Sequence, residues 1–225
     1  MTLRLLLAGF GLILMVAACA PDPELRNDDY LSDDSFLTGD PCGAPCWRGI
    51  TPGETTWQDA RTIIEDDPTL EDFQTQSDDE TDRIGAAWSP VDGELCCQMF
   101  SSENGEIVEF MILQTAPEEE FSSVSEIHGD PQYLSGEILT EGQGLVSLFY
   151  ENIPMLIYVF VAGESGEITE SSEVIGFAYM TETLMQELLE TSTLQAWDGP
   201  GTYREYFEGE PEITPIPTEE VEDES

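Results

Sequence analysis

Two stretches of this chain align with each other without a gap at an offset of 61 residues: IGAAWSPVDGELCCQMFSSENGEI (84–107) and LVSLFYENIPMLIYVFVAGESGEI (145–168). Five of the 24 positions are identical, too few to decide alone, so the kinds of residue matched and the flanks carry the argument. Leu95 meets Leu156, Trp88 meets Phe149, Met99 meets Phe160, and ENGEI meets ESGEI. Ahead of each block stands a possible helix that ends at a proline, TTWQDARTIIEDDP and EEEFSSVSEIHGDP; after each comes an apolar run, IVEFMILQ and VIGFAYMT. A small unit of this kind buries its apolar face only by packing on a neighbour. The pattern predicts an α+β fold, a tandem repeat of a helix followed by three antiparallel strands, with the helices packed on one sheet face. The first repeat covers 41–116 and the second 117–207, the latter closing with a C-terminal helix.

Local signals agree with that layout. Trp57, Ala60, Ile63 and Ile64 recur on one helical face, with Thr55 or Thr56 as N-cap and Asp59 in the favoured first turn. Strand turns are expected at Pro90–Gly93, Glu103–Gly105 and Asn152–Pro154, where glycine, asparagine and proline supply turn geometry. TETLMQELLETS places Leu184, Leu188 and Leu189 on one side of the last helix, and WDGPGTYREYF follows as an aromatic segment that closes on the body.

The chain opens MTLRLLLAGFGLILMVAACAPDPE, one arginine followed by an apolar run and small residues. That is the layout of a secretory signal peptide over 1–18, and the run is shorter than the roughly 20 residues of a membrane span. Val16-Ala17-Ala18-Cys19 resembles the bacterial lipobox, in which the cysteine is acylated and becomes the first residue. The resemblance implies a lipid anchor on Cys19 and an extracytoplasmic protein held at a bacterial membrane; the alternative is an ordinary signal peptide with a chance cysteine. Residues 19–40 then read as a lipidated N-terminus and flexible acidic tether, and 208–225, acidic and proline-spaced, as a disordered tail. Tyr30, Phe36 and Leu37 are scattered apolar residues in that tether.

The formal net charge is −42, from 48 acidic residues and six arginines with no lysine. Such a field repels nucleic-acid phosphates, so nucleic-acid binding is excluded as a class. Adaptation to high salt and a plain solubilising surface both account for it. Asp78, Asp79, Glu80 and Asp82 cluster, but without the spaced Asp/Asn pattern and central glycine of an EF-hand loop, so no metal site is assigned.

With Cys19 set aside, Cys42, Cys46, Cys96 and Cys97 remain, an even number that reads as two disulfides outside the cytoplasm. Neighbours on a strand point to opposite faces, which disfavours a bond between Cys96 and Cys97. The expected pairing takes Cys42 and Cys46 each across to one strand cysteine, closing loops of about 50 residues that contribute roughly 4 kcal/mol in the chain-entropy model. A redox pair prefers Cys-x-x-Cys at a helix start, and a zinc site wants two spaced pairs; both are weaker fits here.

GITPGETTWQDARTII, with HGDPQYL before the second block, resembles the small envelope-lipoprotein domain known as BamE/SmpA/OmlA. Two such units in tandem are similar to the β-lactamase-inhibitor-protein architecture, and the PCxxPCWxGITPG stretch resembles one in uncharacterised bacterial lipoproteins. These resemblances imply helices layered on an antiparallel sheet and transfer no functional residue.

No nucleophile elbow, zinc-protease, phosphate-loop or dinucleotide motif is present in the sequence, and carboxylates are too abundant to single out an acid–base pair. The lone histidine, His128, reads as a C-terminal helix cap. No catalytic residue, cofactor or metal is assigned. The function expected is a non-catalytic binding or scaffold module of the cell envelope, partnered by the membrane through its anchor and by a protein the sequence does not name. An inhibitor or ligand-binding protein using the sheet face, and a thiol–disulfide protein using Cys42 and Cys46, are the alternatives.

Overall fold

The computed structural model describes residues 25–77 and 81–207. The expected signal peptide, Cys19, the start of the tether, the acidic run 78–80 and the tail 208–225 lie outside the described residues.

The fold is α+β, and most of it is one antiparallel sheet. Helix α1 (Ser35–Thr38) and α2 (Trp57–Glu65) precede strands β1 (Leu70–Ser77), β2 (Ile84–Pro90), β3 (Cys97–Ser101) and β4 (Val108–Glu120). Helix α3 (Phe121–His128) leads to β5 (Tyr133–Thr140), β6 (Gln143–Tyr150), β7 (Met155–Val161), the short β8 (Glu167–Ile168) and β9 (Glu173–Met180). Helix α4 (Glu182–Thr191), β10 (Gln195–Ala196), β11 (Gly201–Thr202) and α5 (Tyr203–Phe207) complete the chain. Nine strands form the main sheet in the order β1-β2-β3-β4-β9-β7-β6-β5-β10, and β11 pairs with β8 alone.

Three turns fall where glycine, asparagine and proline placed them, because those residues adopt turn backbone at little strain. Helix α2 starts where its cap predicts: the Thr56 hydroxyl oxygen accepts from the Asp59 N–H at 3.1 Å. Trp57, Ala60 and Ile64 are buried on its inner face. Helices α2 and α3 are each followed by four strands of the main sheet, not three. The missed ones are β1, whose sequence LEDFQTQS is mostly exposed, and β5, interrupted by Gly136 and Glu137. Both lie toward the sides of the sheet, where little apolar alternation is needed. Strand β1 is the outer strand; Asp72 sits there in left-handed backbone (φ 56°) beside a register shift, a device that blunts an edge against further pairing.

Two further expectations are corrected. The helices do not share one face. The main core includes Trp47, Trp57, Trp88, Met111, Phe121, Ile157 and Phe177, under α2 and α3. The opposite face carries a second cluster, in which Met185 of α4 is buried with Phe149, Leu156, Ala178 and Met180. Alternation along β9 explains this: Phe177 and Tyr179 face one layer, Ala178 and Met180 the other, so a strand without a charge from Val174 onward needs cover on both sides.

The tether expected over 19–40 is part of the body from Leu25 onward. Leu31 and Phe36 are buried, Leu31 bridges to Thr115 of β4, and the Ala116 N–H donates to the Leu31 carbonyl at 3.0 Å. Its acidic composition hid this, because only every few residues reach inward. The aromatic end WDGPGTYREYF closes on the body as expected: Trp197, Tyr203, Tyr206 and Phe207 pack on the main core. Gly136 makes room, since a Cβ there would lie 2.6 Å from the Tyr203 ring.

Arg48 ties the loop after Cys46 to the end of α2, pairing with Asp67 and, at 3.6 Å, with Asp33. Burial works against the Asp67 charge, but the Thr69 hydroxyl and N–H and the Arg48 guanidinium outweigh it and hold this carboxyl below the ordinary range. A depressed folded-state pKa stabilises above the unfolded value, near pH 4, and that contribution is lost as pH falls through the folded value. Asp67→Asn is therefore expected to cost about 1 kcal/mol at pH 7 and less as the pH falls below about 4, read from urea unfolding at a series of pH values.

Candidate functional site

Helix α4 covers only the half of the outer sheet face built by β9, β7 and β6. The rest, on β1–β3, is open, while Phe110 and Ile112 of β4 are half-buried against the cluster under α4. Cross-strand pairing defines what it shows. One row runs Gln74, Ala87, Gln98, Ile112; the next runs Gln76, Gly85, Phe100, Phe110. The residues between them on β2, β3 and β4 (Ala86, Met99, Met111) face the main core. In a chain with 48 acids, these two rows contain no charged side chain.

The surface forms an open depression of about 850 Å³ whose lining includes Gln74, Gln76, Arg83, Gly85, Ala87, Gln98 and Phe100. Its floor is low because Gly85 and Ala87 are small. Glutamines of β1 and β3 stand on either side. The Phe100 ring stacks on Phe110 with centroids 6.0 Å apart, and these half-buried rings continue the apolar surface toward α4. Arg83 at the rim pairs with Glu109 at 3.0 Å, so its charge is compensated. Such a surface offers amide donors and acceptors and apolar area. Amides lose less on desolvation than carboxylates do, which suits a contact that excludes water. Its described lining includes the Thr75 and Ser77 hydroxyls but no His, Cys, Asp or Glu.

The structure pairs the cysteines differently from the expectation. Cys42 bonds to Cys46 and Cys96 to Cys97. The expected crossings to the sheet do not form, and the reason is local. Strand β3 begins at Cys97, so Cys96 lies in the irregular stretch before it, where strand alternation does not apply. Both of those cysteines are buried, Cys97 level with Trp88 and Leu113 on the core face, away from the depression. Cys42 and Cys46 are half-buried and close a loop containing the cis Ala44–Pro45 bond, with a second cis bond, Asp40–Pro41, just ahead of it; the Gly49 N–H approaches the Cys42 sulfur at 3.3 Å. A loop this short constrains the unfolded chain far less than the long loops expected. Replacing both Cys42 and Cys46 by serine should cost about 2 kcal/mol or less and leave the fold cooperative, measured by urea denaturation.

His128 is in the last turn of α3, but it does not cap that helix. Its Nε2 meets the Phe36 carbonyl oxygen at 2.5 Å, and its ring packs edge-on to Tyr150 at 6.2 Å. It fastens the N-terminal segment to the body. Among the described residues, no group of three or more His, Cys, Asp or Glu side chains is arranged to hold a metal ion. No helix among them is long and apolar enough to cross a membrane.

Sequence reasoning placed no residue in the open face. The signal was present as a lack of charge: QTQ in β1, the alternating small residues of IGAAW, and CQMF stand out in so acidic a chain. No protein-family model, curated protein or solved structure matches the chain, so its own geometry carries the functional reading.

Proposed function

We propose that this protein is a non-catalytic binding module, held outside the cytoplasmic membrane by a lipid on Cys19, that engages a protein partner through the uncharged half of its sheet. The observation that carries the reading is the pair of charge-free rows on β1–β4. Charge is costly to strip of water, and the centres of protein interfaces are depleted of it. Around the depression the strand ends and turns carry Glu71, Asp82 and Glu106, all exposed. A partner with an uncharged centre and a basic rim fits this arrangement, and the −42 charge would speed its approach at low salt.

The architecture is read as a tandem repeat of helix and sheet. The 61-residue offset that relates the two aligned blocks also relates β2 to β6, β3 to β7 and β4 to β9. In the sheet, β1-β2-β3-β4 is followed by β9-β7-β6-β5, so the two sets meet at their last strands. The anchor rests on the residues before Cys19.

A photo-crosslinking amino acid at Gln98 or Phe100, in cells making the full chain, is expected to trap one protein of discrete mass. The same group at Gln58, exposed on α2, should trap none. Phe100→Ala should reduce crosslinking from Gln98 at least about tenfold, the scale of an interface anchor. No adduct from the sheet positions, or the same adducts from Gln58, would overturn the proposal.

A further inference from the structure

Among the described residues four large apolar side chains are exposed: Val91 (46%), Leu95 (54%), Ile127 (59%) and Leu139 (36%). Three of them sit at one end of the sheet. Val91 and Leu95 flank the turn between β2 and β3, and Leu139 stands at the end of β5 before the turn into β6. The described chain begins at that same end. The Leu25 N–H donates to Gln143, the first residue of β6, at 3.1 Å, and Arg26 pairs with Glu173, the first residue of β9, at 3.1 Å. From there the segment crosses the strand ends until the Glu94 N–H, between Val91 and Leu95, donates to the Asp29 carbonyl at 2.9 Å.

Six residue steps separate Leu25 from Cys19, a covalent reach of about 20 Å at full extension. The open depression lies on the sheet face further along the same strands: Ala87 is four residues and Gly85 six residues before Val91, about 13 and 20 Å at roughly 3.3 Å each. From this geometry we infer that the strand end carrying Val91, Leu95 and Leu139 is apposed to a lipid surface, with the uncharged sheet face left open at the side of the body. The inference rests on the proposed lipidation of Cys19.

The lipid chemistry is set by charge. Asp92 and Glu94 lie in the same turn as Val91 and Leu95 and are exposed. An anionic surface repels them within about a Debye length, roughly 8 Å at physiological salt, so the fit is to zwitterionic headgroups. Apolar side chains at a lipid interface withdraw from water, and the anchor supplies the local concentration that two or three such side chains lack alone.

The test is hydrogen–deuterium exchange of the full acylated chain in phosphatidylcholine vesicles, beside its Val91→Asp/Leu95→Asp variant, with the N-terminal peptide weighed in the same digest. Residues 91–95 and 139–143 are expected to exchange at least about threefold slower in the parent than in the variant. Residues 102–107, at the far strand end, should exchange alike in both. Replacing half the lipid by phosphatidylglycerol should weaken the protection. An N-terminal peptide without acyl mass would overturn the anchor itself. An acylated chain whose turns exchange equally in parent and variant would overturn the orientation alone, as would stronger protection on the anionic vesicles.

Discussion

Phe36→Ala is expected to lower the unfolding free energy by about 4 kcal/mol. The Phe36 side chain is 1% exposed, its ring centroid lies 4.8 Å from that of Phe177 in the middle of the sheet, and its carbonyl oxygen is held by His128. Truncating a buried phenylalanine removes its transfer free energy and leaves a cavity that close-packed neighbours only partly fill, for a total of roughly 3–5 kcal/mol. Urea denaturation of parent and variant reads the difference directly. A segment that merely tethers the body would show a change near zero, so this one number separates a strap that belongs to the core from a linker. Leu37→Ala, in the same helix but only partly buried, should cost clearly less.

Asp33→Ala is expected to cost about 3 kcal/mol for a different reason. The Asp33 side chain is 6% exposed, and its two oxygens accept from four groups at most. Oδ1 accepts from the Ser35 N–H at 3.0 Å and the Ser35 hydroxyl at 2.5 Å; Oδ2 accepts from the Trp47 Nε1–H at 2.9 Å and faces Arg48 at 3.6 Å. Alanine strands these donors away from water, and an unsatisfied buried donor costs about 1–3 kcal/mol. Arg48 keeps Asp67, which is why the loss stays below that of an isolated buried ion pair. Ser32→Ala is the control. Its hydroxyl donates to Glu118 at the surface, and its removal should change stability by less than about 0.5 kcal/mol. Equal effects at positions 32 and 33 would show that Asp33 does not organise this segment.

Both predictions concern residues that read from the sequence as linker. SDDSFLTGDP carries three carboxylates and one aromatic in ten positions, and composition alone counts it as too polar to fold. What composition misses is that one carboxylate turns inward to meet a tryptophan N–H and one ring fills a gap over the sheet. Such use of isolated residues leaves no periodic trace.

Helices α2, α3 and α4 were legible because their information is local: Thr56, one of the two caps expected for α2, accepts from the N–H three residues on. The turns and the central strands were legible for the same reason. The disulfide pairing was not, since it depended on where β3 begins, and a boundary one residue away decides whether Cys96 follows strand alternation. The face taken by α4 was not legible either: Leu184, Leu188 and Leu189 announce an apolar side without saying which side of the sheet it meets.

By itself, then, the sequence determined the α+β content, the positions of most helices and strands, and the extreme acidity. These follow from periodicity, capping and net charge, which act within a few residues or over the whole surface at once. Only the tertiary structure decided that the β4–β9 pairing joins nine strands into one sheet, that the N-terminal segment is core, and that the charge-free rows lie side by side on an open face. Each of those facts depends on register and packing between residues far apart in the chain, and no local property of Gln74, Gln98 or Phe110 specifies its neighbour across the sheet.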